Sequence, residues 1–382
     1  MKTWLSVAMI GFDLFGAGNF AFAQTWSHVS AVSARSISIS ADGSKIIAAV
    51  YGGGIYVSTN FGVSWTLTSA PSTNWTAIAS SFDGNKIIAT SYNGGIYVST
   101  NAGITWTNSE TNAPGQYRIL AVSSSDGNKL AVADYFSVST STNSGASWVS
   151  NPVSNQKWVS LISSADGSKL AIASYPTLYI STNSGVQWRL ITNVPTGGGV
   201  IAGAADGNKL AMAVSQEGIY TSVNSGATWI LTSAPILTNT PASYWQAITS
   251  SSDGRKLAAT IFNGGIYTST DFGVTWTSNN VPTENWSGIA SSADGSILAA
   301  ASSAGIWISQ STPTPQLSFT TSNNNLLLSW LVPSTNFVLQ QSLDMISWVN
   351  VTNTPALNFT NLNDEITLSP SGSGGFFRLV AQ

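Results

Sequence analysis

An Asp-Gly pair that returns every 40 to 47 residues constrains the fold of this chain more than any other feature. The pair occurs seven times, beginning at Asp42, Asp83, Asp126, Asp166, Asp206, Asp253 and Asp294. Each unit holds four runs of strand length separated by Gly, Asn and Asp turns, with no helical periodicity between them. Four strands in a unit of roughly 40 residues form a propeller blade. The sequence therefore predicts an all-β fold containing a seven-bladed β-propeller.

The two ends of the repeat region predict how the propeller closes. The seventh unit ends in a run that stops at Ser309 and passes into the Pro-rich segment 311–316, so it lacks a fourth strand of its own. The missing Thr-Trp strand stands near the start of the chain, at Thr25-Trp26. We expect residues near 24 to 30 to form the outer strand of the last blade, which removes two open sheet edges. Residues 24–310 are thus assigned to the propeller.

Six units carry an eight-residue box that ends in tryptophan. The boxes at 58–65, 99–106, 141–148, 181–188, 222–229 and 269–276 read STNFGVSW, STNAGITW, STNSGASW, STNSGVQW, SVNSGATW and STDFGVTW. They resemble the Asp-box, or BNR repeat, of the sialidase-like propeller superfamily, Ser-x-Asp-x-Gly-x-Thr-Trp. The resemblance implies a polar turn between the third and fourth strands of a blade, with the tryptophan packed into the blade. Five boxes have Asn at the Asp position and the sixth has Asp271, and either residue supports a hydrogen-bonded turn.

Residues 1–23 match a secretory signal peptide. Lys2 precedes an apolar stretch and Ala21-Phe22-Ala23 provides a cleavage site before Gln24, although Asp13 is atypical and a membrane-retained N-terminus is the alternative. The formal net charge is −3 and no basic block is present, which argues against binding to nucleic acid or to an anionic membrane. No segment of the mature chain has the roughly 18 apolar residues of a membrane helix. We expect a monomer that is secreted, periplasmic or displayed on the cell surface.

The segment after the propeller predicts a second, smaller domain. Residues 311–316 (STPTPQ) are typical of a short semi-rigid linker. Residues 317–382 contain several alternating runs separated by Asn, Ser, Pro and Gly turns, which predict a β-sandwich-like domain. The run from Leu328 to Trp330 and the ending Phe377-Arg378-Leu379 are similar to terminal β-modules of secreted bacterial proteins. That resemblance implies surface display, sorting or attachment, and a plain packing domain is the alternative.

Two sets of residues are predicted on the propeller face opposite the Asp-Gly turns and boxes, which we call the mouth. Eight residues before the Asp-Gly pairs stand Ala34, Trp75, Arg118, Trp158, Gly198, Trp245 and Trp286, and nine residues after them stand Tyr51, Tyr92, Tyr135, Tyr175, Ser215, Phe262 and Ser303. A two-residue Asp-Gly hairpin places Trp75 opposite Tyr92 and, likewise, Trp158 opposite Tyr175, Trp245 opposite Phe262 and Arg118 opposite Tyr135. A glycine bulge would offset these partners by one residue.

Nine of these residues form the candidate ligand-binding set. Its members are Trp75, Tyr92, Arg118, Tyr135, Trp158, Tyr175, Trp245, Phe262 and Trp286. One interpretation is that the rings only rigidify the blades through cross-strand pairing. The other is that some of them line the mouth of the central channel and stack on sugar rings or on an apolar partner.

The sequence offers little for catalysis. A sialidase-like site, as the resemblance implies it, requires three convergent arginines, a Tyr activated by a Glu, and an Asp, yet the propeller has only four scattered arginines. With no cysteine and His28 as the single histidine, we predict no catalytic residues, no metal site and no cofactor. The leading hypothesis is a non-enzymatic propeller that binds a glycan or protein partner. A divergent glycosidase using Glu217, Glu284 or Asp134, and a purely structural surface protein, remain alternatives.

Overall fold

The computed structural model describes most of the chain in two compact units. The described residues are 26–92, 95–109, 120–134, 137–153, 157–195, 198–215, 217–237, 244–310, 317–322, 325–331, 337–358, 363–368 and 376–381. The propeller unit is built from strands between Trp26 and Gln310, and the C-terminal unit from strands between Ser318 and Ala381. The predicted signal peptide 1–23 and linker 311–316 lie outside the described residues.

The propeller unit contains 29 strands within the described residues. The first fourteen are β1 (Trp26–Ser30), β2 (Ser36–Ile39), β3 (Ile46–Ala49), β4 (Tyr51–Gly53), β5 (Ile55–Ser58), β6 (Thr66–Leu67), β7 (Thr73–Ser80), β8 (Ile87–Ser91), β9 (Ile96–Ser99), β10 (Thr107–Asn108), β11 (Leu120–Ser123), β12 (Leu130–Ala133), β13 (Ser137–Ser141) and β14 (Val149–Pro152). The others are β15 (Trp158–Ser163), β16 (Leu170–Ser174), β17 (Leu178–Ser181), β18 (Arg189–Ile191), β19 (Gly199–Gly203), β20 (Leu210–Val214), β21 (Gly218–Ser222), β22 (Ile230–Leu231), β23 (Trp245–Ser250), β24 (Leu257–Ile261), β25 (Ile266–Ser269), β26 (Thr277–Ser278), β27 (Trp286–Ser291), β28 (Ile297–Ser302) and β29 (Ile306–Gln310).

These strands form seven antiparallel blades within the described part of the chain. From the inside outward, blades 1 to 7 are β2-β3-β5-β6, β7-β8-β9-β10, β11-β12-β13-β14, β15-β16-β17-β18, β19-β20-β21-β22, β23-β24-β25-β26 and β27-β28-β29-β1. In blade 7 the N-terminal strand β1 pairs with β29, with Trp26 opposite Ser309. The all-β propeller with its N-terminal strand closing the last blade is confirmed.

A closed ring of backbone hydrogen bonds joins the blades. In each blade the amide of the residue before Asp-Gly donates to the carbonyl of the equivalent residue in the next blade, at 2.7 to 2.8 Å. The residues in order are Ala41, Phe82, Ser125, Ala165, Ala205, Ser252 and Ala293, and the amide of Ala293 donates back to the carbonyl of Ala41. The ring returns to its start after seven blades, so the repeat closes on itself.

The Asp-Gly turns follow one local design. In the first turn the Ser44 amide donates to Asp42 Oδ1 at 3.0 Å, which is an Asx turn. The Lys45 amide donates to Ser40 Oγ at 2.9 Å, so the hydroxyl closes the hairpin. Lys45 Nζ then donates to the carbonyl of Asp83 in the next blade at 2.8 Å. The lysine therefore links neighbouring turns around the ring.

The eight-residue boxes form the turns between the third and fourth strands. In the first box the Gly62 amide donates to Ser58 Oγ at 2.8 Å, and the Ser64 amide donates to Asn60 Oδ1 at 2.9 Å. Trp65 Nε1 donates to the Gly62 carbonyl at 3.1 Å. In the sixth box Asp271 Oδ1 accepts the equivalent bond from the Thr275 amide at 2.9 Å. Asn and Asp thus perform the same turn function, because the bond requires only a side-chain oxygen.

The core of the propeller lies between blades. Each of seven buried clusters combines apolar residues from two adjacent blades within the described residues. The cluster between blades 1 and 2, for example, packs Ile47 and Ile55 against Trp75, Ile78 and Ala89. The second strands of the blades are buried on both faces, which explains their continuous apolar sequences.

The C-terminal unit has two sheets that share one core. Its strands are β30 (Ser318–Ser322), β31 (Asn325–Leu331), β32 (Phe337–Ser342), β33 (Val349–Asn350), β34 (Ala356–Asn358), β35 (Asn363–Leu368) and β36 (Phe376–Ala381). The sheets have the orders β30-β31-β35-β34 and β33-β32-β36. Leu328 and Trp330 of one sheet pack with Leu339 and Phe377 of the other. This is the predicted sandwich-like arrangement.

Candidate functional site

The two faces of the propeller are formed by different sets of turns. In blade 1 the Phe61 amide of the box donates to the carbonyl of Ser44 in the Asp-Gly turn at 3.0 Å, and five other blades repeat this bond. Asp-Gly turns and boxes therefore share one face, which we call the turn face. The turns between the second and third strands lie at the other ends of the blades and form the mouth.

The innermost strands enclose a polar channel. A cavity of about 250 Å³ lies between them, near the ends that lead into the Asp-Gly turns. Its polar lining side chains are Ser38, Ser80, Ser123, Ser163, Thr249 and Ser250. Ser123, Ser163 and Ser250 each donate their hydroxyl proton to the carbonyl of the following residue at 2.9 Å. The channel is therefore polar but carries no formal charge among these lining residues.

The four candidate tryptophans do not line the mouth. Trp75, Trp158, Trp245 and Trp286 are at most 3% exposed. Each packs edge to face on an aromatic ring of the third strand of its own blade, with centroids 5.2 to 6.4 Å apart, and the partners are Tyr97, Tyr179, Tyr267 and Trp307. Such pairs stabilise a blade by about 1 kcal/mol beyond area burial. We therefore assign these indoles to blade packing and remove them from the ligand-binding set.

The predicted cross-strand partners are wrong by one residue. Trp75 lies opposite Ser91 and not Tyr92, and the same offset places Trp158 opposite Ser174 and Trp245 opposite Ile261. The Asp-Gly turn itself has the two-residue register, because Ser80 pairs with Ile87. The offset arises in a β-bulge directly after each tryptophan.

Aromatic side chains of the second-to-third-strand turns do reach the surface of the mouth. Tyr51, Tyr92 and Tyr175 are 55%, 38% and 50% exposed. Phe262 is half-buried and stacks on Tyr244, with centroids 5.0 Å apart and an interplanar angle of 12°. Candidates Arg118 and Tyr135 lie outside the described residues. The exposed rings thus come from the turns of blades 1, 2 and 4, and blade 6 contributes the half-buried Phe262.

Blades 1 and 2 bring two of these tyrosines to one residue. Tyr51 pairs with Asn74 in the ladder between β4 and β7, and the Tyr92 amide donates to the Asn74 carbonyl at 2.8 Å. Strand β4 attaches to the channel side of β7, which makes blade 2 five-stranded. Sequence reasoning placed Tyr51 on the mouth but missed β4 and the ring of Tyr244. The run Gly52-Gly53-Gly54 was the available signal, since glycines in a strand mark a bulge or a close backbone approach.

The three candidate acids lie in three different turns. Asp134 is 1% exposed, and its Oδ1 and Oδ2 accept bonds from the Ser137 amide and hydroxyl at 2.7 and 3.1 Å. Tyr220 Oη donates to Glu217 Oε2 at 3.4 Å, and burial together with the Glu217 charge raises the pKa of Tyr220. Glu284 forms a backbone bridge with Gly264. Asp134 is therefore a turn-stabilising residue.

Within the described ranges, no group of three or more His, Cys, Asp or Glu side chains is placed to hold a metal ion. The described residues also contain no helix that is long and apolar enough to span a membrane.

Solved structures similar to this chain are β-propellers. YCF48 from Cyanidioschyzon merolae aligns with a TM-score of 0.59 and 13% identity, covering 75% of this chain and 98% of that chain. YCF48 bound to D1 peptide aligns with a TM-score of 0.61 and 14% identity, covering 77% and 96%. The GH74 xyloglucanase from Xanthomonas campestris aligns with a TM-score of 0.61 and 16% identity, covering 81% of this chain and 59% of that chain. At these identities the likeness shows the fold alone.

No protein-family profile and no curated protein sequence matches this chain significantly.

Proposed function

We propose that this chain is a non-enzymatic binding propeller that recognises a glycan or protein partner at its mouth. The observation that carries the proposal is the exposure of Tyr51, Tyr92 and Tyr175 on the mouth turns. Backbone bonds to the neighbouring strand hold Tyr51 and Tyr92 in place. Binding therefore orders little additional chain, and a rigid aromatic ring offers a large contact area at a small entropic cost.

Two features support a partner over a substrate. A structural neighbour is described as bound to a peptide, so the fold accommodates a peptide ligand in at least one protein. The burial and internal pairing of Asp134 leave the glycosidase alternative with Glu217 and Glu284, which stand in turns of different blades. Retaining and inverting glycosidases need two carboxyl groups roughly 5 to 10 Å apart across a sugar bond. The glycosidase alternative therefore requires that Glu217 and Glu284 meet this spacing.

The finer assignments belong to the same proposal. We infer that the boxes are Asp-boxes of the sialidase-like type, since their serine and Asx side chains build one repeated turn. We also propose residues 24–310 as the propeller, 311–316 as a linker, and export after removal of residues 1–23. The exported protein is proposed to be a monomer in the periplasm, at the cell surface or in the medium.

The test is binding of the exported protein to a broad glycan array and to a displayed peptide library. The decisive variant is the double change Tyr51→Ala and Tyr92→Ala, which removes two exposed rings without touching a buried core. The matched control is Val63→Ala with Ile104→Ala, two exposed apolar side chains on the turn face. Loss of saturable binding in the tyrosine variant alone supports the mouth. Binding to neither class would contradict the proposal and favour a purely structural role.

A further inference from the structure

The outer face of one sheet of the C-terminal unit carries a row of three polar side chains. In the sheet β33-β32-β36, Gln340 lies opposite Asn350 on one side and opposite Arg378 on the other. Residues directly opposite each other share a face of the sheet. Leu339 and Phe377, which precede Gln340 and Arg378 in the sequence, are buried in the core, so the three polar side chains face outward. We call Asn350, Gln340 and Arg378 the arginine row.

Two contacts fix the guanidinium of Arg378. Its Nε and Nη2 donate to Gln340 Oε1 at 3.0 and 2.8 Å. Its Cζ lies 4.0 Å from the ring centroid of Trp348, so the guanidinium stacks on the indole. The indole is itself held by the bond from Trp348 Nε1 to the Met345 carbonyl, at 3.2 Å. A ligand therefore meets a cation that is already oriented, which lowers the entropic cost of binding.

The groups of the arginine row that remain free are mostly N–H donors. Arginine can only donate, which turns Gln340 Oε1 toward Arg378 and Gln340 Nε2 toward Asn350 Oδ1, at 3.0 Å. Both amide oxygens thus accept bonds inside the row, while Asn350 Nδ2 and Arg378 Nη1 donate to no residue in the described part of the chain. The Nη1–Nη2 edge of a guanidinium matches the two oxygens of a carboxylate. The row therefore suits a ligand that presents acceptor oxygens.

The charge of the C-terminal unit favours a ligand with a single carboxylate. Arg378 is the only cationic residue among residues 317–382, which also contain the acids Asp344, Asp364 and Glu365. Arg378 forms no ion pair with an acid of the described residues, so its charge is available to a ligand. A ligand with many negative charges would be repelled by this acidic segment. One carboxylate in a neutral frame would pair with Arg378 without that penalty.

The free donors also favour a sugar over a peptide. Hydroxyl and ring oxygens of a sugar can accept bonds from the amide N–H groups beside Arg378. A peptide backbone brings an N–H donor at nearly every residue, and each donor needs an acceptor of its own. The amide oxygens of Gln340 and Asn350 already accept bonds inside the row. The chemistry of the row therefore matches an acidic sugar.

We propose that the arginine row is a second binding site, which takes the carboxylate of one acidic sugar in an otherwise neutral glycan. Nη1 and Nη2 of Arg378 donate to the two carboxylate oxygens, and Asn350 Nδ2 donates to a hydroxyl or ring oxygen of the same ligand. The site requires no contact with the mouth of the propeller. It gives the C-terminal unit a function in attachment to an acidic glycan.

The test is titration calorimetry of residues 24–382 with oligosaccharides that each contain one glucuronic acid residue. Each oligosaccharide is paired with its carboxyl-reduced form, in which glucose replaces glucuronic acid. The acidic form should bind at least about tenfold more tightly, because a carboxylate accepts charge-assisted bonds from arginine and an alcohol does not. Equal affinity of the two forms, or binding of neither, would overturn the proposal.

Two variants of the arginine row separate binding from packing. Arg378→Lys keeps the charge but removes the planar fork, and it should weaken binding of the acidic form about tenfold. Gln340→Glu supplies an internal carboxylate to Arg378, so the preference for the acidic form should disappear while the free energy of unfolding does not fall. Arg189→Gln is the matched control, since it removes one exposed cation from the propeller unit. Unchanged affinity in both row variants would mean that Arg378 only packs against Trp348.

Two further arms identify the place and the class of the ligand. The double change Tyr51→Ala and Tyr92→Ala should leave binding of the acidic oligosaccharides unchanged, and a loss there would place the carboxylate at the mouth and overturn the second site. Peptides with a free or an amidated C-terminus form the other arm. Peptide binding that depends on Arg378, without binding of the acidic oligosaccharides, would overturn the assignment to a glycan. Failure of this inference leaves the proposed function standing, because the mouth and the arginine row belong to different units.

Discussion

The glycine of each Asp-Gly turn satisfies two constraints at once. All seven of these glycines have φ between +65° and +76°, where a side chain is strained. In six turns the stem of a lysine from the preceding blade packs against the glycine, and the seventh meets Ile297. For Gly127, a Cβ would lie 2.6 to 2.7 Å from Lys86 Cδ and Cβ. The turn thus needs glycine for its own backbone and for the neighbouring blade.

Replacing Gly127 with alanine should destabilise the protein by about 1 to 3 kcal/mol, because strain and steric contact add. Chemical denaturation monitored by tryptophan fluorescence measures the change. Gly265→Ala should be nearly neutral, since its site is open. Adding Lys86→Ala should recover only the steric part. Full recovery in the double variant would show that the left-handed φ costs nothing here.

The acids of the turns predict a dependence of stability on pH. Burial alone would raise the pKa of Asp83, but bonds donated by the Ser81 hydroxyl and by Asn85 outweigh it, so the pKa lies below its ordinary value of 3.8. A carboxyl whose pKa falls on folding stabilises the fold above pH 3.8, and this contribution is lost as the pH falls through the lower, folded-state value. Asp126 and Asp166 behave in the same way.

The measurement is the free energy of unfolding of the native protein and of Asp83→Asn at about pH 7 and about pH 2.5. The native protein should be more stable than the variant at neutral pH, and the difference should shrink in acid as Asp83 is protonated. A difference that is equal at both pH values would mean that the carboxylate charge adds nothing to the turn.

The sequence predicted the residues of the turns better than it predicted the candidate ligand-binding residues. The role of Asp and Asn in the turns followed from the repeat, because their bonds are local. Trp75 is buried against Tyr97 of the third strand. The spacing around the Asp-Gly pairs relates only the first and second strands, so it could not predict this contact. Tyr244 stacks on Phe262 from outside the repeat, so its place required the fold.

At the scale of the element, strand β1 carries the closure of blade 7. Trp26 is buried beside Trp286, while Ser27 on the same strand is exposed. The junction between blades 7 and 1 also lacks a lysine link, because Ile297, which faces Gly43, stands where six other blades have lysine. Strand pairing and the packing of Trp26 therefore hold the seam between the two ends of the propeller.

Trp26→Ala should cost about 3 to 5 kcal/mol and expose the edge of β29. We expect a lower denaturation midpoint and concentration-dependent association, measured by light scattering. Ser27→Ala is the control on the same strand and should behave as the native protein. A stable monomeric Trp26→Ala variant would show that β1 is dispensable for closure.

The sequence predicted the strand register correctly only as far as the β-bulges. The two-residue register of the Asp-Gly hairpin was inferred correctly near the turn, where Ser80 pairs with Ile87. Near the mouth, the bulge at Thr76 shifts the pairing by one residue, and Thr76 Oγ1 donates to the Thr90 carbonyl at 3.0 Å. No glycine marks this bulge, so the sequence carries no turn signal for it.

The C-terminal unit contains a box-like turn that the sequence pattern did not predict. Residues 342–348 (SLDMISW) build a box one residue shorter than those of the propeller, with the Ser347 amide donating to Asp344 Oδ1 at 2.7 Å and Trp348 Nε1 to the Met345 carbonyl at 3.2 Å. Bonds from the amides of Ser347 and Ile346 lower the pKa of Asp344 to about 2. This turn lacks the glycine of the propeller boxes, and Met345 adopts the left-handed conformation with φ of 62°. Without the glycine, its sequence does not match the pattern of the boxes.

At the scale of the whole molecule, the repeat predicted the blade number because closure is a property of the entire ring. The backbone bond from Ala293 to Ala41 joins residues that no local signal connects. The count of Asp-Gly pairs and the displaced Thr-Trp strand nevertheless required the two ends to meet. The count of repeats could not predict which side chains the mouth exposes, because the turns of the mouth differ from blade to blade in length and residue type.

The low charge of the molecule predicts how binding at the mouth responds to salt. Only 8% of residues are charged, and the exposed rings of Tyr51, Tyr92 and Tyr175 contribute contact without formal charge. Salt screens interactions between exposed charges but acts little on apolar stacking and on backbone pairing. The affinity for a peptide or glycan selected at the mouth should therefore change less than about threefold between roughly 0.05 and 0.5 M NaCl, measured by titration calorimetry. A tenfold loss would instead show that exposed cations such as Arg35 steer a charged partner, and the Arg35→Ala variant would then lose the salt dependence together with the association rate.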